Sequence, residues 1–146
     1  MSQTFLSIEG DALSNDWEKC PLDISEYEGF VYIIENVKDD KFYVGKKSLW
    51  SHLTKSPLKG KKQKRHIKKE SDWKNYWGSS NQLLSDIQTL GKENFKRTII
   101  RLCKSKWELA YWEAKEQFDR DVIFLESSYN GILNLRVPKA PKELRR

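Results

Sequence analysis

Along residues 1–28, single hydrophobic positions stand among Ser, Asn, Asp, Gly and Pro, a pattern that predicts an arm packing loosely over a folded body. From Gly29 the pattern changes. Phe30, Val31, Tyr32, Ile33 and Ile34 form a β-branched and aromatic run, Asn36 to Asp40 is polar, and Lys41 to Gly45 forms a second run, which together predict a hairpin. Gly45 marks either a close backbone approach or a sharp exit. Leu83, Leu84, Ile87 and Leu90 recur at helical spacing, with Gly91 as a stop. Phe95 to Cys103 alternates imperfectly and predicts a third strand. Ser105 and Glu108 form a capping box ahead of a helix from about Lys106 to about Phe124. Tyr129, Asn130 and Gly131 mark a turn. From Pro138 the basic tail, residues 136–146, is predicted to be disordered.

The stretch between the second strand and the first helix changes the picture most. Residues 55–74 hold nine bases (Lys55, Lys59, Lys61, Lys62, Lys64, Arg65, Lys68, Lys69 and Lys74) against Glu70 and Asp72. Such density repels itself, and Pro57 and Gly60 interrupt it, so a mobile basic flap is predicted. Trp73, Tyr76 and Trp77 are spaced to anchor its end on a short helix.

The chain has 146 residues, 38% hydrophobic and 12% aromatic, enough for one core despite 33% charge. Its net charge of +6 is unevenly spread: residues 1–28 carry seven acids and one base, so the rest carries +12. A body that basic points to a polyanion, nucleic acid first, since neutralising phosphates releases counterions. A membrane surface fits less well, because no basic stretch shares a helix with a strong apolar face. No apolar run approaches the roughly 20 residues of a bilayer span and no signal-peptide layout is present, so a cytoplasmic location is expected. Cys20 and Cys103 lie far apart in sequence, which points to free thiols rather than a disulfide or zinc site.

In the hairpin, Tyr32 and Tyr43 fall near facing positions, followed by Gly45 and the pair Lys46 and Lys47. The segment GFVYIIENVKDDKFYVGKK, with FVY about ten residues before YVG, resembles the GIY-YIG nuclease family, in particular phage endonucleases related to homing enzymes. The flap ending in SDWKNYWGSS, the strand GKENFKRTII, the Glu-bearing helix and the final YN extend the resemblance over about residues 29–131. It implies an α+β fold, a small central three-stranded antiparallel sheet flanked by helices. It also implies phosphodiester hydrolysis with one divalent metal, Mg²⁺ or Mn²⁺. That divides the chain into an acidic arm (1–28), a nuclease domain (29–135) and the basic tail.

Hydrolysis needs a group to orient or deprotonate water, a cation for the developing charge, and a carboxylate for the metal. Tyr43, or Tyr32 partnered by Tyr43, meets the first need if nearby positive charge lowers a phenol from about 10; the plainer alternative is a core aromatic pair. Many family members carry an arginine about ten residues after the second tyrosine, where this chain has His52 and Leu53. Lys46 and Lys47 are the substitutes, with His52 a second candidate or simply a surface histidine; lysine supplies charge without a bidentate fork. Glu113 is taken as the metal ligand and Glu116, three residues on, as the alternative; either can instead be a solvent-facing helix acid. Asn130 matches a family asparagine near the site, or is only a turn residue. The flap bases, with Ser79 and Ser80, are nucleic-acid contacts, the serines alternatively helix caps. The expected function is a metal-dependent DNA endonuclease of phage or mobile-element homing type, monomeric or homodimeric, with RNA still open as a substrate and no membrane partner. The alternatives are a catalytically weak nucleic-acid-binding module on the same fold, and a salt-sensitive assembly of acidic arm and basic body.

Overall fold

A strand that is hydrophobic at nearly every position, rather than every second one, has both faces covered. That holds for β2 (Gly29–Asn36), which lies between β3 (Lys41–Ser48) and β6 (Phe95–Cys103) at the centre of the main sheet. The computed structural model describes residues 17–133 and 135–146. Phe30, Tyr32 and Ile34 point into an aromatic layer with Trp73, Trp77, Leu83 and Ile87, while Val31 and Val44 pack on the other side against Leu109 and Val122. α1 (Asn81–Leu90) is capped by Ser80, whose hydroxyl accepts from the Leu83 N–H (3.3 Å), and stops at Gly91, φ +93°. α2 (Lys106–Asp119) opens on the Ser105–Glu108 capping box.

The main sheet has four strands, not three, and is mixed. β1 (Trp17–Glu18) pairs parallel to β6, giving the order β1-β6-β2-β3. The cause is Trp17, buried 4.9 Å from the Phe30 ring and 5.4 Å from the Tyr32 ring. The Arg97 guanidinium lies between the Trp17 and Trp77 rings, 4.4 and 4.0 Å from their centres. The second half of the acidic arm is therefore part of the core; its residues 1–16 lie outside the described residues.

Three further expectations are corrected. The basic flap is a two-stranded antiparallel ribbon of β4 (Trp50–Lys55) and β5 (Arg65–Glu70), joined by residues 56–64. Its lysines disguise a strand alternation, and Trp50 fastens the base by donating from Nε1 to the Tyr27 carbonyl (2.8 Å). α2 ends at Asp119, five residues early, because the chain turns through Asp121 (φ +51°) to bury Val122 in the sheet's second core. Residues from Pro138 dock on α2 instead of leaving it: Trp107, stacked on Tyr111, donates to the Pro138 carbonyl (2.7 Å), and Lys142–Leu144 forms a 3-10 turn.

Candidate active site

An edge strand leaves every second N–H and C=O without a partner in its sheet. β3 is that edge, and its outward positions are 42, 44 and 46. At Phe42 the backbone of residues 127–129 fills the gap, accepting from the Phe42 N–H at Ser127 O and donating from the Tyr129 N–H to Phe42 O (each 2.8 Å). At Val44 the Asn130 side chain does the same work: Oδ1 accepts from the Val44 N–H (3.0 Å) and Nδ2 donates to the Val44 carbonyl (2.8 Å). Gln117 adds a second donor to that carbonyl (3.0 Å). At Lys46 the backbone bonds to the carboxylate of Glu113. Glu113 and Gln117 are four residues apart on α2, so one helix face meets two successive outward positions of the strand.

A cleft of about 460 Å³ opens at this edge, lined by Tyr43, Lys46, Ser79, Glu113, Gln117 and Asn130 among others. Burial raises the Glu113 carboxyl above its ordinary value, against the opposing effect of Lys46, whose ammonium lies 3.9 Å from Oε1. The Tyr43 hydroxyl lies 3.0 Å from Ser79 Oγ. Burial raises the Tyr43 phenol although the Ser79 bond lowers it, and raises Tyr32 further, with Tyr43 as the next cause. Neither phenol is lowered by the protein's own cations, contrary to the requirement for a tyrosine base. A larger groove of about 550 Å³, near Phe42 and Arg120, is lined by none of the candidate residues.

The structure thus brings together Tyr43, Lys46, Glu113, Asn130, Ser79 and Ser80 at the cleft, and places the other candidates outside its lining. Tyr32 is 1% exposed and sits beneath Gly45, where an added Cβ would come 2.6 Å from its hydroxyl oxygen; this close approach is why position 45 is glycine. The Tyr32 and Tyr43 rings are 6.1 Å apart but diagonal, since Tyr32 faces Gly45 and Ile34 faces Tyr43. Lys47 is held by Asp72 (2.7 Å) over the Tyr76 ring. His52 is on the ribbon, 3.3 Å from Glu28. Glu116 is tied to Arg101 (2.7 Å) and to Arg120, and although burial opposes it, these bonds hold its carboxyl below the usual range. Ser80 caps α1. Lys55, Arg65, Lys68 and Lys69 lie on the ribbon strands, Lys59, Lys61, Lys62 and Lys64 in their connection, and Lys74 beside Glu70 (3.8 Å).

Two contributors escape sequence reasoning. Gln117 is the first, although its spacing from Glu113 is the signal that reveals it. The second is the pairing of Ser79 with Tyr43, which has no sequence signature because it depends on how the segment around Gly78 (φ +90°) passes the sheet.

Among the described residues no three His, Cys, Asp or Glu side chains group as a metal cluster. A single carboxylate in a polar cleft suits Mg²⁺, which keeps most of its waters and takes one or two carboxylates plus substrate phosphate. It does not suit a structural zinc, which needs four protein ligands. No helix among the described residues is long and apolar enough to cross a membrane. In comparisons with known proteins, the family described as "Putative endonuclease segE, GIY-YIG domain" matches residues 15–133. No curated protein and no solved structure matches.

Proposed function

Because the chain belongs to the GIY-YIG nuclease family, of the segE endonuclease type, we propose that it is a metal-dependent DNA endonuclease working at the β3-edge cleft, of the homing kind encoded by phages or other mobile elements. The observation that carries the site assignment is the grouping of Tyr43, Lys46 and Glu113 in that one cleft. Glu113 would hold Mg²⁺ or Mn²⁺. When bound, the metal supplies charge neutralisation at the phosphate and lowers the pKa of a bound water. Lys46 stabilises negative charge growing on the phosphate oxygens, in place of the family arginine. A lysine does this as a point charge, without the fork that would also fix the phosphate's orientation. Tyr43 stays protonated at neutral pH, so it acts by orienting the attacking water through its hydroxyl, which Ser79 holds in turn. Asn130 and Gln117 are positioning residues: by clamping Val44 they fix the strand between Tyr43 and Lys46.

Incubating supercoiled plasmid with the full chain in Mg²⁺ and in EDTA tests the reading. Nicked or linear product in Mg²⁺ alone is expected. DNA binding without cleavage in any divalent metal would overturn it in favour of a binding module weakened by the missing arginine.

A further inference from the structure

The two faces of the ribbon differ. Cross-strand pairing puts Trp50 with Glu70, His52 with Lys68 and Thr54 with His66 on one face. That face is tied to protein: His52 to Glu28, Lys68 over the Trp50 ring (4.3 Å), and Glu70 accepting from Trp73 Nε1 (2.8 Å). The other face carries Ser51 with Lys69, Leu53 with Ile67 and Lys55 with Arg65. Among the described residues none of its three cations has a carboxylate partner. Arg65 donates only from Nε, to Ser56 O (3.1 Å). Leu53 is 43% exposed and its partner Ile67 half-buried, so an apolar pair with one open member stands between Ser51–Lys69 and Lys55–Arg65.

We infer that this ribbon enters the major groove of B-form DNA with the Leu53–Ile67 face toward the bases, and so supplies target preference to the nuclease; the inference rests on the function proposed above. Two strands about 4.8 Å apart, with their side chains, match a groove about 12 Å wide and about 8.5 Å deep. The face offers what that groove reads: apolar groups for thymine methyls, and Arg65 with two free Nη donors for guanine O6 and N7. Lys55 and Lys69 bracket them for phosphates. The deep, narrow major groove of an RNA duplex would not admit the ribbon. The chain also fixes the distance from the cut. Trp50 follows Lys46 by four residues, at most about 14 Å, and the strand adds about 17 Å more. Bases read by the ribbon therefore lie within about ten base pairs of the cut.

The test uses the full chain, a plasmid to map the strongest cut, and a 40-base-pair DNA duplex around it, with binding measured in EDTA. Two variants, L53S/I67S and K55Q/R65Q/K69Q, are compared with wild type after their thermal transitions confirm folding. The cation variant is expected to lose at least tenfold in affinity near 0.15 M salt, and its salt slope to become shallower by about 1.8, for the two phosphate contacts of Lys55 and Lys69. The apolar variant is expected to keep that slope and scatter its cuts. Methylation at guanine N7 is expected to interfere within ten base pairs of the cut. If wild type cuts yet both variants match it in affinity and cut pattern, or N7 methylation has no effect, or an RNA duplex binds equally well, the ribbon inference is overturned alone. If wild type neither binds nor cuts duplex DNA, the nuclease reading falls and takes this inference with it.

Discussion

At the β3 edge, one carboxylate, one ammonium and one phenol are each held by a partner: Glu113 with Lys46, Tyr43 with Ser79. A few residues further along the chain, the ribbon carries Lys55, Arg65 and Lys69 with no carboxylate partner among the described residues. The contrast follows from what each region handles. Bond breaking depends on reacting groups held within about half an ångström, so the cleft uses few groups and fixes each. Holding a polyanion depends on the number of cations it meets, so the ribbon needs many and can leave them in solvent. Damage at the cleft should therefore remove rate and leave affinity, and damage at the ribbon should do the reverse.

The largest effect is expected at Glu113. Glu113→Gln keeps the shape but removes the charge for a metal, and should lower the single-turnover cleavage rate about a hundredfold or more, with DNA affinity in EDTA within threefold. A comparable loss of affinity would mean that the two regions are not separate. Lys46→Gln comes next, at about tenfold in rate, because one cation near a developing charge is lost while the fold is untouched. Asn130→Ala leaves the Val44 N–H unpaired at a buried edge, while the Val44 carbonyl keeps Gln117, and should cost about 1–3 kcal/mol in urea unfolding. An Asn130 variant of normal stability but no activity would make the amide a catalytic group rather than a clamp.

The two glutamates of α2 sharpen the comparison through pH. Glu116 is lowered by Arg101 and Arg120 despite its burial, so in the window just below the ordinary glutamate value the unfolded chain binds more protons than the folded one. Its stabilisation is complete above the unfolded value near 4.3 and is lost as pH falls through the lower folded value. Glu116→Gln should destabilise the protein by about 1–2 kcal/mol at pH 7 and by less in acid, with cleavage at pH 7 within threefold of wild type. Glu113 is raised by burial, so the sign reverses: the folded state binds more protons, and stability falls as pH rises through the raised value. Metal-free Glu113→Gln should then melt slightly higher than wild type at neutral pH.

Strands β2, β3 and β6, helix α1 and the start of α2 were legible because their signals are local: runs, spacing and caps. The parallel pairing of β1 was not, since two residues carry no periodicity and Trp17 earns its place only through rings distant in sequence. The ribbon was hidden by its function: lysines at strand positions read as a solvated run, although Leu53, Thr54 and Ile67 kept the strand character. At the site, Tyr43, Lys46, Glu113 and Asn130 were named from motif and family likeness. Which of them meet in a cleft was not legible, because it depends on which way the edge strand's peptide groups face. Glu113 and Glu116 look equivalent in sequence and are separated by what surrounds them, Lys46 for one and two arginines for the other.

The most direct test is single-turnover cleavage of supercoiled plasmid in Mg²⁺ by wild type, Glu113→Gln and Glu116→Gln at pH 7 and one temperature below all three melting points. The expected result is a loss of about a hundredfold for Glu113→Gln and a rate within threefold of wild type for Glu116→Gln. Full activity in Glu113→Gln, or its loss only in Glu116→Gln, would contradict the placement of the chemistry at the β3-edge cleft.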